Sequence, residues 1–163
     1  MTNVRSWIAT LALAALPAAA QQDYSKVEIK TTKLGATTYM MEGAGGNLGL
    51  SAGEDATFLI DDQFAPLSEK ITAAIAKITD KPVKFILNTH WHFDHTGGNE
   101  NFGKAGVTIL ARENLRMRLE KPSPGANGQT PPPTPAAGLP VITYDAPLTI
   151  RMNGEEVRLI PAP

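Results

Sequence analysis

All three histidines of this 163-residue chain fall between positions 90 and 95. With Asp94 they place four metal-ligand side chains, His90, His92, Asp94 and His95, inside N-T-H-W-H-F-D-H-T-G-G-N at residues 88–99. Imidazole and carboxylate are ordinary ligands of zinc and similar divalent ions. In an extended backbone, residues two apart face the same way. His90 and His92 can therefore close on one ion, while a turn through Phe93 aims Asp94 and His95 at a second. The apolar run V-K-F-I-L at 83–87 reads as a buried strand, so the ligands sit where a strand ends and a loop begins. Gly97 and Gly98 let backbone pass close to the site without a Cβ in the way, and Thr96 and Asn99 can satisfy loop or helix-start donors. A solvated polar loop is the bland alternative, and a random loop seldom collects three imidazoles and a carboxylate in this order.

His90-Trp91-His92-Phe93-Asp94-His95 resembles the H-x-H-x-D-H signature of the metallo-β-lactamase superfamily, and Thr96-Gly97-Gly98-Asn99 resembles its common continuation. The resemblance implies that His90 and His92 ligate a first zinc and Asp94 and His95 a second, two ions in the complete protein. It extends to Gly45-Gly46-Asn47, where loop and Asn47 are expected to border the metal cleft and contact substrate. It also covers F-L-I-D-D at 58–62, where one of the two acids, Asp61 ahead of Asp62, is expected to fix the metal-site loop from behind the ligands. Taken alone, residues 42–47 read first as a plain hairpin turn, and Asp61 reads equally as a turn acid or helix cap. A phosphate-binding loop is excluded, because no Lys-Ser/Thr pair follows the glycines.

Residues 1–20 read as a secretory leader. One basic residue, Arg5, precedes the apolar run 8–16, and Pro17 with Ala18-Ala19-Ala20 then offers an A-x-A cleavage site before Gln21. The run is far short of the roughly 20 residues that span a membrane, so the expected destination is the periplasm or the exterior. Removing 20 of 163 residues leaves 143, enough for one domain with a core at 21–163. A net charge of -1 gives no electrostatic argument for nucleic acid or a membrane surface. The absence of cysteine removes disulfides, and with them the thiolate that some members of the family use as a ligand. The oligomeric state is not readable.

Strands are expected at 27–31 and 37–41, then at 48–51 and 56–60, followed by a helix from Ser68 with Ile71, Ala74, Ile75 and Ile78 at helical spacing. After the ligands come a strand at 107–110 and a charged helix at 112–120, whose Arg112, Arg116 and Arg118 read as a solvated face. Residues 122–140 hold seven prolines and read as an extended loop without a packed element, a passive insertion rather than a lid over the cleft. Strands at 141–144, 148–152 and 157–160 close the sequence, with Asn153-Gly154 as a two-residue hairpin turn.

This alternation fits an α/β sandwich. The resemblance implies the αββα fold, with the first half and the start of the second present. It also implies that a strand-end histidine and a bridging acid come after residue 163, so the sequence reads as part of a longer protein, with a truncated, inactive form as the alternative. The implied chemistry is exported, metal-dependent hydrolysis of a small molecule. Zinc lowers the pKa of bound water from roughly 15.7 to about 7, Asp94 is expected to orient the resulting hydroxide and hand on a proton, and a β-lactam amide is one candidate substrate. Lactonase or thioesterase activity is the alternative. A non-catalytic metal-binding or relay protein and an iron-based redox protein remain on the same fold.

Overall fold

The computed structural model describes residues 22–125 and 128–162; the expected leader lies outside the described residues. Seven strands cross one sheet in sequence order: β1 (Lys30–Lys33), β2 (Thr38–Glu42), β3 (Leu48–Ala52), β4 (Thr57–Ile60), β5 (Val83–Leu87), β6 (Thr108–Arg112) and β7 (Ile142–Tyr144). The first four form an antiparallel meander, and β4 to β7 are parallel. Short turns can only reverse the chain, whereas a parallel neighbour requires a crossover. Here the crossovers carry α1 (Ser68–Ile75), α2 (Phe93–Thr96) with α3 (Asn99–Lys104), and α4 (Glu113–Glu120). Consequently β4, β5 and β6 all end on one rim of the sheet, and the residues that follow β4 and β5 become neighbours there.

Side-chain alternation assigns the two faces. Leu59 joins Met41, Leu48, Leu50 and Ile86 against Ile71, Ala74 and Ile75 of α1 and Phe102 of α3. Phe58, Leu87 and Leu110 point the other way, against Leu148, Ile150, Val157 and Leu159. Those last four belong to a two-stranded antiparallel sheet of β8 (Leu148–Met152) and β9 (Glu155–Leu159). The central strands are thus covered on both sides, as a run such as T-F-L-I requires. Full burial of one such residue, Leu59, contributes roughly 1.5–3 kcal/mol. Helices, large sheet and small sheet make three of the four layers of the expected αββα sandwich.

The β8–β9 turn is the expected Asn153-Gly154, with φ of 57° and 74°, the left-handed pair that a two-residue hairpin of this hand needs. Asn153 also ties the hairpin to the large sheet, donating through Nδ2 to Ser51 Oγ at 3.0 Å and Ala56 O at 2.9 Å. Next to it the Glu155 carboxylate accepts from the hydroxyls of Thr37, Thr38 and Ser51. The Thr37 and Thr38 hydroxyls hold its pKa below the ordinary value of 4.5. A lowered folded-state pKa supplies stability above the unfolded value that is lost as pH falls through the folded one. Protection of the β8 and β9 amides, taken relative to the intrinsic exchange rate at each pH, is therefore expected to fall below about pH 4.5 more in the wild type than in Glu155→Gln; an equal fall in both would remove the assignment.

Three expectations need correction. The first strand starts at Lys30 rather than at residue 27, because Lys70 Nζ draws the carbonyls of Tyr24, Ser25 and Val27 to itself at 2.7–2.9 Å and takes them out of any ladder. The proline-rich segment does contain a packed element, a 3-10 turn at Ala136–Gly138. Its small residues allow it to lie on α3, where a Cβ at Gly103 would collide with Ala137 O, and Leu139 completes a cluster with Ala111, Leu115 and Leu119. Arg112 and Arg116 do not form a solvated face: Arg112 donates to Ala162 O, and Arg116 donates to Pro140 O and to Glu120 at 2.6 Å. Only Arg118 remains at the surface, its guanidinium 5.4 Å from the centre of the Trp91 ring.

Candidate metal centre

Register places the site. Ile60 pairs with Leu87, and the ladder continues one step past both strands, with Asp61 N donating to Leu87 O at 2.8 Å and Asn88 N to Leu110 O at 2.9 Å. The chain then runs extended through His92 (φ -63°, ψ 149°) into the single helical turn α2. His95 N and Thr96 N both donate to His92 O at 3.0 Å, and this turn swings Asp94 and His95 back toward His90. The rings of His90 and His95 lie 3.9 Å apart between centroids, and those of His90 and His92 lie 4.8 Å apart. Asp94 Oδ2 is 3.4 Å from His95 Nε2. All four expected ligands thus gather at the rim. Burial, and after it the His95 ring, lowers the pKa of His90, which favours the neutral imidazole that ligation requires.

Asp61 sits behind them. It is buried, with a left-handed backbone of φ 61° that an aspartate tolerates better than most residues. Its Oδ1 accepts from Thr89 N at 2.7 Å, and its Oδ2 accepts from the Thr89 hydroxyl and from His95 Nδ1, both at 2.7 Å. A carboxylate on Nδ1 fixes that nitrogen as the protonated one and leaves the Nε2 lone pair for a metal. Asn88 donates to His95 O at 3.2 Å and accepts from Asn99 Nδ2 at 2.9 Å, and the same amide reaches Gly138 O at 3.0 Å. Asn99 was expected to satisfy helix-start donors; it is itself a donor, fully buried, because it lies between two acceptors.

The glycine-dense loop between β2 and β3 does border the ligands, through Gly45 and Gly46. A Cβ at Gly46 would stand 2.6 Å from His95 Nε2, and one at Gly45 (φ 85°) 2.7 Å from Asp94 Cβ. Asn47 is exposed, with its amide 3.8 Å from Met40 Sδ. On the other flank a cavity of about 600 Å³ opens between Phe64, Trp91, Phe93 and Asp94 on one wall and Ser123 and Thr130–Pro132 on the other. The proline-rich segment therefore walls the space beside the ligands and is not a passive insertion.

The donor types suit zinc, and the carboxylate behind His95 is the support such ligands need. Among the described residues, however, no three His, Asp or Glu side chains converge closely enough to hold an ion as they stand. The site is a set of donors in kind, short of a closed coordination sphere in number. A family model described as the metallo-beta-lactamase superfamily matches residues 42–163. The chain belongs to that superfamily. No curated protein matches it. Among solved structures it is similar to a subclass B3 metallo-beta-lactamase from a soil metagenome library (26% identity, TM-score 0.62, covering 77% of this chain and 49% of that one). A class B3 di-zinc metallo-beta-lactamase from an Alaskan soil metagenome (17%, TM-score 0.70, 88% and 56%) and a metallo-beta-lactamase from Pontibacter korlensis (20%, TM-score 0.62, 80% and 59%) share the fold. The chain spans roughly half to three fifths of the length of these superfamily members.

Two further buried residues stand beside the site: Asp62, the second acid at the end of β4, and Gln63, for which the sequence offered no role. Asp62, with no exposure, accepts from Gly98 N through Oδ1 at 2.9 Å and leaves Oδ2 without a partner; burial pushes its pKa well up. Gln63, also fully buried at φ 55°, donates to Gly46 O and accepts from Ala44 N, clasping the glycine loop over His95. Gln63 follows D-D as an ordinary loop residue would, and its only signal is its place at the end of an apolar strand.

Proposed function

We propose that this chain is the ligand-bearing part of an exported, zinc-dependent hydrolase acting on a small molecule, with the amide of a β-lactam ring as its substrate. The single observation that carries the reading is the gathering of His90, His92, Asp94 and His95 on the sheet rim with Asp61 locked behind them. His90 and His92 would hold one ion and Asp94 and His95 the other. When bound, zinc supplies a nucleophile at neutral pH by acidifying water and polarises a carbonyl as a Lewis acid. The chain's own residues supply the rest. Asp61 holds the His95 ring, the backbone of Gly45 and Gly46 closes one side, and Trp91, Phe93 and the 130–132 segment offer a mostly apolar wall that orients a substrate and limits water. Asp94 would orient the nucleophile and hand on a proton.

The β-lactam assignment is supported by the similarity to B3 enzymes at up to 26% identity, and export by residues 1–20. The test takes the full-length protein from the exported fraction. It should start at Gln21, contain zinc by elemental analysis, and hydrolyse a chromogenic β-lactam in a reaction stopped by chelation and restored by zinc. Hydrolysis of lactones or thioesters with no β-lactam turnover would move the substrate assignment to those esters. Retention of zinc with no hydrolysis of any of the three would leave a metal-binding protein, and absence of both would overturn the reading.

A further inference from the structure

We propose that Thr89 is a positioning residue that fixes which nitrogen of His90 is free to bind a metal. Thr89 stands between the end of β5 and the first ligand. Its hydroxyl lies 2.7 Å from Asp61 Oδ2 and 3.0 Å from His90 Nδ1, while its backbone N–H holds Asp61 Oδ1 at 2.7 Å. A hydroxyl carries one proton and can accept two. A carboxylate has none to give, and two bare oxygens at that separation repel, so the Thr89 proton goes to Asp61. Thr89 Oγ1 can then only accept from the imidazole. The ring proton of His90 therefore sits on Nδ1, and Nε2 keeps its lone pair.

The same carboxylate oxygen takes the Nδ1 proton of His95 at 2.7 Å. Asp61 thus sets both rings, His95 by direct contact and His90 through one hydroxyl, and both present the same nitrogen from rings 3.9 Å apart. Valine at position 89 would keep the shape of the side chain but could neither donate to Asp61 nor accept from His90. The purpose assigned to Thr89 rests on the zinc reading above; its hydrogen bonding does not.

The experiment uses the full chain as wild type, Thr89→Val, Thr89→Ser and Asp61→Asn, with near-ultraviolet circular dichroism reporting the fold. Long-range proton–nitrogen spectra of the metal-free protein give the tautomer of each histidine directly. His90 and His95 should both show the Nδ1–H form in the wild type. Thr89→Val should release His90 to a mixture with the Nε2–H form while leaving His95 unchanged, and Thr89→Ser should restore it. In Asp61→Asn an amide N–H faces the hydroxyl, which then gives its proton to His90 Nδ1 and moves the ring proton to Nε2; this variant keeps the test alive if Thr89→Val does not fold. Zinc affinity, by chelator competition, should fall on the order of tenfold in Thr89→Val and recover in Thr89→Ser. An Nδ1–H form of His90 that persists in folded Thr89→Val, or in Asp61→Asn, overturns the proposal. A wild type with the expected tautomers that holds no zinc upholds the relay and sinks the zinc reading instead.

Discussion

Asp61→Asn should lower zinc affinity by on the order of tenfold to a hundredfold while the fold survives. The amide keeps the shape of the carboxylate, can still accept from Thr89 N, and tolerates the left-handed backbone at φ 61°. What changes is the sign of the partner offered to His95 Nδ1. An N–H facing that nitrogen favours the proton on Nε2, the atom that has to bind the metal. A carboxylate-to-amide exchange behind a working imidazole elsewhere acts in this way, leaving geometry intact and the tautomer wrong. Stability should fall by about 1.5–3 kcal/mol, the worth of hydrogen bonds to a charged group. Asp61→Ala should cost more, since it leaves the Thr89 and His95 donors stranded and puts a Cβ without a polar group at positive φ. Chelator competition and urea unfolding on the two variants check both parts. A zinc affinity unchanged in Asp61→Asn would remove Asp61 from the site.

Asp62→Asn should have the opposite effect, making the metal-free protein more stable at neutral pH by about 1–3 kcal/mol. The ionised Asp62 has one oxygen on Gly98 N and the other buried without a partner, and burial raises its pKa well above 3.8. At low pH both folded and unfolded chains carry the proton. As pH rises past the unfolded value the unfolded chain releases it first, so stability falls until the raised folded value is reached and is level beyond it. The asparagine variant has no such proton. The difference in urea midpoint between variant and wild type should therefore be small near pH 3, widen as pH rises, and reach its limit above the folded pKa. A difference that stays flat from pH 3 to 8 would mean that Asp62 is not the group responsible.

Much of this was legible in the residues themselves. V-K-F-I-L marks β5 at both ends, Asn153-Gly154 marks its hairpin, and three imidazoles around Asp94 mark the candidate site, because each is a local pattern with a local cause. What stayed hidden depends on partners far along the chain. Lys70 reaches back 43–46 positions to delay the start of β1, Arg116 finds Pro140 O across the proline-rich segment, and Asn99 bridges positions 88 and 138. Residues 61 to 63 show the limit most sharply. D-D-Q looks like one polar turn, yet each member is buried with a different task, which only the register of β4 on β5 assigns: Asp61 to His95, Asp62 to Gly98, Gln63 to the glycine loop.

The small sheet carries an implication for handling the protein. Among the described residues each of its two strands pairs only with the other, so each presents one row of backbone donors and acceptors, and such rows template the addition of foreign strands. Arg151, Glu156 and Arg158 are exposed along them, and charge at an edge is the ordinary guard against stacking. That guard weakens with salt, as Debye screening shortens, whereas acid neutralises Glu156 and leaves the charges of Arg151 and Arg158 unopposed. Concentrated samples should therefore stay monodisperse longest in low-salt buffer, with precipitation setting in first where salt is raised.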